Sequence, residues 1–172
     1  MIESNSMQEI LRLKQELMDG NYDQAIKLVS SLQTMYFDDR ISLLSNFLSL
    51  AISRLIVVRV NTEYVYLSNL HELRNALIEI KNKNRQGRDS FYVKVDDWQQ
   101  LYEDAVPWAL LLAVETTEIL DNTDVEDLKG QIDFRRLKEE TLKLVRSTYT
   151  LDALEIDAYL RSLWLDRQIH RY

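Results

Sequence analysis

Apolar positions recur at helical spacing from the N-terminus almost to the end of the chain. The first two stripes lie within residues 10–18 and 22–32, and Asp19-Gly20-Asn21 separates them as a helix stop and turn. Ser6 supplies an N-cap before the first stripe. The pattern therefore predicts a helical hairpin over residues 6–34.

The most apolar segment, residues 41–60, does not keep its apolar side chains to one stripe. A helix that is apolar on nearly all sides is a central core helix or part of a protein interface. Asp38-Asp39 is predicted to begin this helix, because acids at a helix N-terminus complement the helix dipole. Arg54 and Arg59 interrupt the segment. Each can bind an acidic group, but a long side chain that extends to water at the helix end is the commoner arrangement.

Further helical patterns follow, with cap or start signals at Ser68, Asp96-Asp97, residues 123–126, Asp133 and Thr150. Pro107 falls inside one pattern and is expected to kink or restart that helix. The alternating residues 91–95 are too short for a sheet and predict an extended strap or a hairpin piece. We expect an all-α bundle of six to eight helices, forming a single domain over residues 1–172.

Composition narrows the chemistry that this domain can carry. With Gly 3 and Pro 1, the chain has too few turn residues for an all-β fold, a Rossmann site or a phosphate loop. With Cys 0 and His 2, it lacks the ligands of ordinary zinc or iron–sulfur centres and the groups of a nucleophilic triad. Adjacent acid pairs point about 100° apart on a helix and do not face one another. We therefore expect no enzyme, no cofactor and no metal.

The net charge of −7 is unevenly distributed. Residues 1–86 hold 10 acids and 10 bases, whereas residues 87–172 hold 18 acids and 11 bases. An acidic half disfavours nucleic acid and anionic membranes and favours a basic protein partner. Solubility alone also explains such a surface, and this simpler interpretation is favoured. A second copy of the chain is the other partner considered, and it would need apolar contact area because two acidic faces repel.

Two groups of residues are the candidate partner-binding surface. In the acidic stretch 115–127, a hard cation could bind, but the EF-hand pattern lacks its Gly, and solvated helix ends explain the acids better. The last helix has an interface-like composition, although Trp164 docking into the core explains part of it. The candidate partner-binding residues are Glu115, Glu118, Asp124, Asp127, Tyr159, Arg161 and Arg167.

One basic cluster offers a nucleic-acid alternative. Its charges are Lys81, Lys83, Arg85 and Arg88. They could contact phosphates. The position of Lys81, Lys83 and Arg85 before Gly87 is also typical of a helix C-terminus, where cations offset the dipole, and this second interpretation is favoured.

The chain shows no sign of export or membrane insertion. Residues 1–6 have neither a basic nor an apolar signal region. The longest uninterrupted apolar run, Trp108 to Val114, is far shorter than the roughly 20 residues needed to span a bilayer. We expect a cytoplasmic protein that does not associate with membranes.

The order of segments resembles the domain-of-unknown-function family 29, small all-helical proteins found mainly in cyanobacteria. The likeness covers roughly residues 10–120 and rests on residues 20–25, 46–48, 73–84 and 91–93. This chain departs from the family at Arg54 and Val57, where the family has His and Lys, and at Asn69, where it has Trp. The tail from about Gly130 has no counterpart. The resemblance implies no established activity. Genes of this family often lie beside toxin genes, so the resemblance also implies an antitoxin-like role.

Together these observations predict a non-enzymatic protein–protein interaction or regulatory module. An antitoxin-like protein that neutralises a basic toxin, and a weak nucleic-acid binder, are the alternatives. The partner is expected to be a basic protein or a second copy of the chain.

Overall fold

The all-α fold predicted from the sequence is confirmed by the computed structural model. It describes residues 2–61, 64–87, 90–116, 124–163 and 168–170. In all, 83% of the structure is helical, and the described residues form seven helices. They are α1 (Ile2–Met18), α2 (Tyr22–Val60), α3 (Leu67–Asn84), α4 (Trp98–Thr116), α5 (Val125–Gln131), α6 (Phe134–Ser147) and α7 (Ala153–Leu163), with short strands β1 (Tyr64–Tyr66) and β2 (Gln168–His170).

The chain divides into two compact units, Met1–Ser42 and Leu43–Tyr172. We call them the N-terminal unit and the C-terminal unit. The boundary falls within α2, so one helix contributes to both. A single domain over residues 1–172 stays a prediction.

In the N-terminal unit, α1 and α2 are joined by the tight turn that the sequence predicted. Gly20 adopts a φ of 77°, a left-handed conformation that costs glycine little and other residues more. The amide of Asn21 donates to the carbonyl of Glu16, which satisfies a carbonyl in the last turn of α1. Helix α2 then begins at Tyr22. The turn between the two helices of this hairpin therefore depends on Gly20 and the residues beside it.

The predicted helix start at Asp38-Asp39 is wrong, because α2 runs without a break from Tyr22 to Val60. Between residues 22 and 60 there is no Gly or Pro to stop it. The hydroxyls of Ser30 and Thr34 donate to the carbonyls four residues earlier, which lets polar residues stay within the helix. An acidic pair can thus lie inside a helix as well as at its start.

The C-terminal half of α2 is the central core helix that its composition predicted. Residues 51–58 are buried without exception. Arg54 is among them, and it forms an ion pair with Glu72 on α3. Arg59 at the end of α2 pairs with Glu140 on α6. Both arginines therefore bind acidic groups, which was the less favoured of the two interpretations.

Around this helix, α3 packs against α6 and α7, and α4 packs against α5 and α6. Helix α4 continues through Pro107, so the predicted restart is wrong. The predicted helix start at Asp133 is confirmed, since its side chain accepts a hydrogen bond from the amide of Arg136. The capping box predicted over residues 123–126 has Thr123 as its N-cap, but the N-cap of α5 is Asp124, which accepts from the amide of Asp127. The last helix is capped by Asp152 instead of Thr150.

The strands β1 and β2 form a two-stranded parallel pair, with Val65 opposite Ile169. The sequence did not predict this pairing, because three residues carry too little pattern to identify a strand. Residues 91–95 were expected to form an extended strap or a hairpin piece. Phe91 forms an isolated antiparallel bridge with Arg85, and bends and turns follow it, so the hairpin piece describes this segment better.

Candidate functional site

The N-terminal unit exposes the apolar stripes that define its helices. Of the sixteen large apolar side chains that the structure describes as exposed, ten lie in residues 7–37. On α1 they are Met7, Ile10, Leu11, Leu17 and Met18. At 100° per residue these positions fall within an arc of about 120°, so they form one face. Amphipathic stripes normally face a core, and here they face outward.

The second helix of this unit carries a matching stripe. Tyr22, Ile26 and Val29 are exposed by 67%, 64% and 41%, and they follow one another at helical spacing. In the described part of this unit, Ala25 and Leu28 are the only buried apolar side chains. We call the exposed residues of both stripes the hairpin surface. On α1 it includes an open groove of about 370 Å³, lined by Ile10, Leu13, Lys14, Leu17 and Met18.

The three acidic candidates that the structure describes, Glu115, Asp124 and Asp127, are exposed, but their roles differ. Glu115 lies exposed near the end of α4. Asp124 caps α5, where its carboxylate accepts from the amide of Asp127 at 2.8 Å. Glu126 in the same turn pairs with Lys129 at 2.6 Å. The structure thus brings Asp124 and Asp127 together for a structural reason, while Glu118 lies outside the described residues.

The candidates on the last helix also have neighbours of their own. Arg161 forms an ion pair with Asp157 at 2.8 Å, one helical turn earlier. Tyr159 lies with its ring under the ammonium group of Lys143, 5.9 Å from the ring centroid. Arg167 lies outside the described residues, as does Trp164. Tyr159 and Arg161 therefore lie on the same helix but have different partners.

The described residues of the basic cluster lie in the last turn of α3 and directly after it, where the favoured interpretation placed them. Lys81 Nζ donates to the carbonyl of Thr148 at 3.0 Å, just after α6. Burial lowers the pKa of Lys81, and nearby Arg85 adds to this effect. Lys83 lies 4.0 Å from Glu79. Arg85 is exposed, and Arg88 lies outside the described residues. Of the three described charges in the cluster, Lys81 and Lys83 therefore already contact groups of the protein.

A cavity of about 260 Å³ lies between α2, α6 and α7 of the C-terminal unit. We call it the α2–α6–α7 cavity. Leucines 55, 144 and 163 form its apolar lining. Its polar lining is Arg59, Arg136, Glu140, Lys143 and Tyr159. From this polar set, the sequence identified Tyr159 as a candidate contact residue and Arg59 as a residue able to bind an acidic group, but not Arg136, Glu140 or Lys143.

The carboxylate of Glu140 organises the cavity. Arg59 Nε donates to Glu140 Oε2 at 2.7 Å, and its Nη2 pairs with Oε1. Arg136 Nε donates to the same Oε1 at 3.1 Å. Residues 136, 140 and 143 share one face of α6 because they lie four and three positions apart. That spacing was the sequence signal for this cavity, but Arg59 is too distant along the chain to be placed beside it by pattern.

A buried polar network attaches residues 91–95 to the end of α3, the start of α4 and Tyr149. Asn84 exchanges two hydrogen bonds with the backbone of Val93, at 3.0 and 2.7 Å. The hydroxyl of Tyr149 donates to the carbonyl of Val93 at 2.6 Å and accepts from Trp98 Nε1 and Asn84 Nδ2. Burial raises the pKa of Tyr149, although the two hydrogen bonds that it accepts oppose the rise. The network is structural, since each of its members is satisfied by another.

Two general findings bear on function. Within the described residues, no group of three or more His, Asp or Glu side chains is placed to hold a metal ion. Helix α2 is long and apolar enough to cross a membrane, although 61% of its most apolar window is buried within the protein, as in core helices of soluble proteins. The longest uninterrupted apolar run did not identify this helix, because Ser, Asn and Arg residues interrupt its apolar segment while most positions stay apolar.

No protein family, no curated protein and no solved structure matches this chain in comparisons with known proteins. The likeness to the domain-of-unknown-function family 29 therefore stays a proposal.

Proposed function

We propose that this protein is a non-enzymatic protein–protein interaction module and that the hairpin surface is its contact surface. The exposure of the two apolar stripes supports this proposal most strongly. Monomeric proteins rarely expose contiguous apolar area of this kind, and where they do it is commonly an interaction site. Burying one large apolar side chain contributes about 1.5–3 kcal/mol, so a few such residues suffice for specific binding.

The partner that fits this surface is an amphipathic helix of another protein with basic residues beside its apolar face. Residues 1–42 contain seven acids and four bases, so the surface around the stripes is negatively charged. An apolar face of a partner helix would lie along α1 and α2, and its lysines or arginines would meet these acids. A neutraliser of a basic toxin, as the family resemblance implies, is one form of this function. The cytoplasmic location expected from the sequence is part of the same proposal.

The test measures binding of a fluorescent amphipathic helical peptide of leucine and lysine, with a leucine–glutamate peptide of the same pattern as control. We expect saturable binding of the basic peptide only. Leu11→Ser with Ile26→Ser should weaken it by about tenfold or more. The matched control is Leu154→Ser in α7, whose side chain is 77% exposed. It should leave binding unchanged.

The other surfaces are separated by the same assay. If the hairpin variant binds normally and Glu115→Gln with Asp127→Asn abolishes binding, the acidic candidates form the contact surface and the hairpin proposal is wrong. Light scattering tests the second-copy alternative: a dimer lost in Leu11→Ser with Ile26→Ser would make another copy of the chain the partner. Binding of RNA that falls with Lys83→Gln and Arg85→Gln would instead support the nucleic-acid alternative, which no contact in the structure favours.

A further inference from the structure

We propose that the α2–α6–α7 cavity binds a small organic anion, a carboxylate or phosphate group attached to a short apolar group. This site is separate from the hairpin surface, and the proposal does not depend on the one made for that surface. It rests on the charges of the cavity, on its apolar lining and on its size.

The charges of the cavity do not balance. Three cations, Arg59, Arg136 and Lys143, line it together with a single acid, Glu140. Arg59 uses both oxygens of the Glu140 carboxylate, and Arg136 shares one of them. The chain as a whole carries a net charge of −7, so a locally positive cavity runs against its average. An anion would restore the balance.

Two of the cations have donors available for a ligand. Arg136 makes one hydrogen bond to Glu140, which leaves other guanidinium N–H groups unused within the described structure. Lys143 is exposed and makes no ion pair with any described residue. Its ammonium lies over the ring of Tyr159. Because residues 136 and 143 are separated by two helical turns on one face of α6, both can point toward a ligand in the cavity.

The remaining lining and the volume describe the rest of the ligand. Leu55 and Leu144 are buried, and Leu163 borders the opening. An apolar lining with a few convergent polar groups is typical of small-molecule sites. At about 260 Å³ the cavity lies just below the range of drug-sized sites, which limits the apolar group to a short chain or a single ring.

Calorimetric titration with hexanoate and with hexyl phosphate tests the proposal and separates the two head groups. Acetate supplies the charge without the chain, and hexanol supplies the chain without the charge. We expect saturable binding of one or both hexyl anions and much weaker binding of acetate and hexanol. Lys143→Gln and Arg136→Gln should each lower the affinity for the anion by about tenfold, because each removes a charge-assisted hydrogen bond.

Two further variants guard against indirect effects. Lys143→Arg keeps the charge and should keep binding. Arg146→Gln removes a charge from an exposed position of the same helix that does not line the cavity, and it should bind as the unmodified protein does. Thermal unfolding of every variant checks that the fold is intact. If neither hexyl anion binds saturably, if hexanol binds as tightly, or if neither Lys143→Gln nor Arg136→Gln weakens binding, the proposal is overturned.

Discussion

The two units of this protein use similar helices in opposite ways. Among the described residues, the C-terminal unit contains twenty-seven of the twenty-nine buried apolar side chains and the N-terminal unit contains two. The N-terminal unit nevertheless has well-formed amphipathic stripes. Periodicity therefore identifies which residues share a face, but not what covers that face. A stripe predicts a core only if the chain supplies enough partners to cover it.

The largest expected effect on the free energy of unfolding distinguishes the buried core of the C-terminal unit from the exposed hairpin surface. Leu48→Asp should unfold the C-terminal unit, because an unpaired carboxylate in a dry core costs several kcal/mol, on the order of 2–7 for a polar group alone. Leu48 is 1% exposed. Ile26→Asp in the hairpin surface should change the free energy of unfolding by less than about 0.5 kcal/mol. Urea unfolding followed by circular dichroism measures both. Equal losses of stability would mean that the stripe on α2 is buried in solution.

The sequence predicted the local features of this protein well and its long-range contacts incompletely. The all-α fold, the Gly20 turn, the apolar helix over residues 41–60 and the helix start at Asp133 follow from local rules, because neighbours within a few residues decide them. The pairing of Arg59 with Glu140 and of Tyr149 with Trp98 joins residues more than fifty positions apart. No local pattern determines such contacts. The α2–α6–α7 cavity includes the first of these pairs, so the sequence identified Arg59 and Tyr159 separately but did not place them in one site.

A second effect concerns polar groups within the C-terminal unit. Tyr149→Phe should destabilise it by about 1–3 kcal/mol, since the buried Val93 carbonyl and two donors each lose a partner. Tyr102→Phe is the matched control, because Tyr102 is equally aromatic but its buried hydroxyl has no hydrogen-bond partner among the described residues. It should be neutral or slightly stabilising. Thermal unfolding would contradict this account if the two variants lost the same stability.

A third, smaller effect tests the turn of the N-terminal unit. Gly20→Ala should cost about 1 kcal/mol, because a side chain is strained at a φ of 77° even though nothing lies within 4 Å of the new Cβ. Gly130→Ala meets equally open space at an ordinary φ inside α5 and should stabilise by about 0.5–1 kcal/mol. Proteolytic cleavage within α1 should become faster only for Gly20→Ala. Unchanged cleavage would show that the turn does not hold α1.

The smallest effect on stability, which comes from the ionisation of Tyr102, is expected only in alkaline solution. Burial, with a contribution from Glu103, raises the pKa of Tyr102 to about 12 from an ordinary value of 10.0. Between these two values the unfolded chain loses the phenol proton while the folded chain keeps it. The folded state then binds more protons, so stability falls as the pH rises. Tyr102→Phe should flatten this loss in urea titrations across the same range. A slope identical to that of the unmodified protein would contradict the shift.

The unbroken course of α2 has a consequence for how the chain folds. Starting a helix is costly, because several residues must be ordered before the first hydrogen bond forms, whereas extending one adds a bond for each residue fixed. The segment 51–58 is ordered by its burial, so residues 22–42 can grow from it without a nucleus of their own. Helix α1 lies beyond Gly20 and gains nothing from that growth. We therefore expect α1 to form last, and a bound partner helix would stabilise it most.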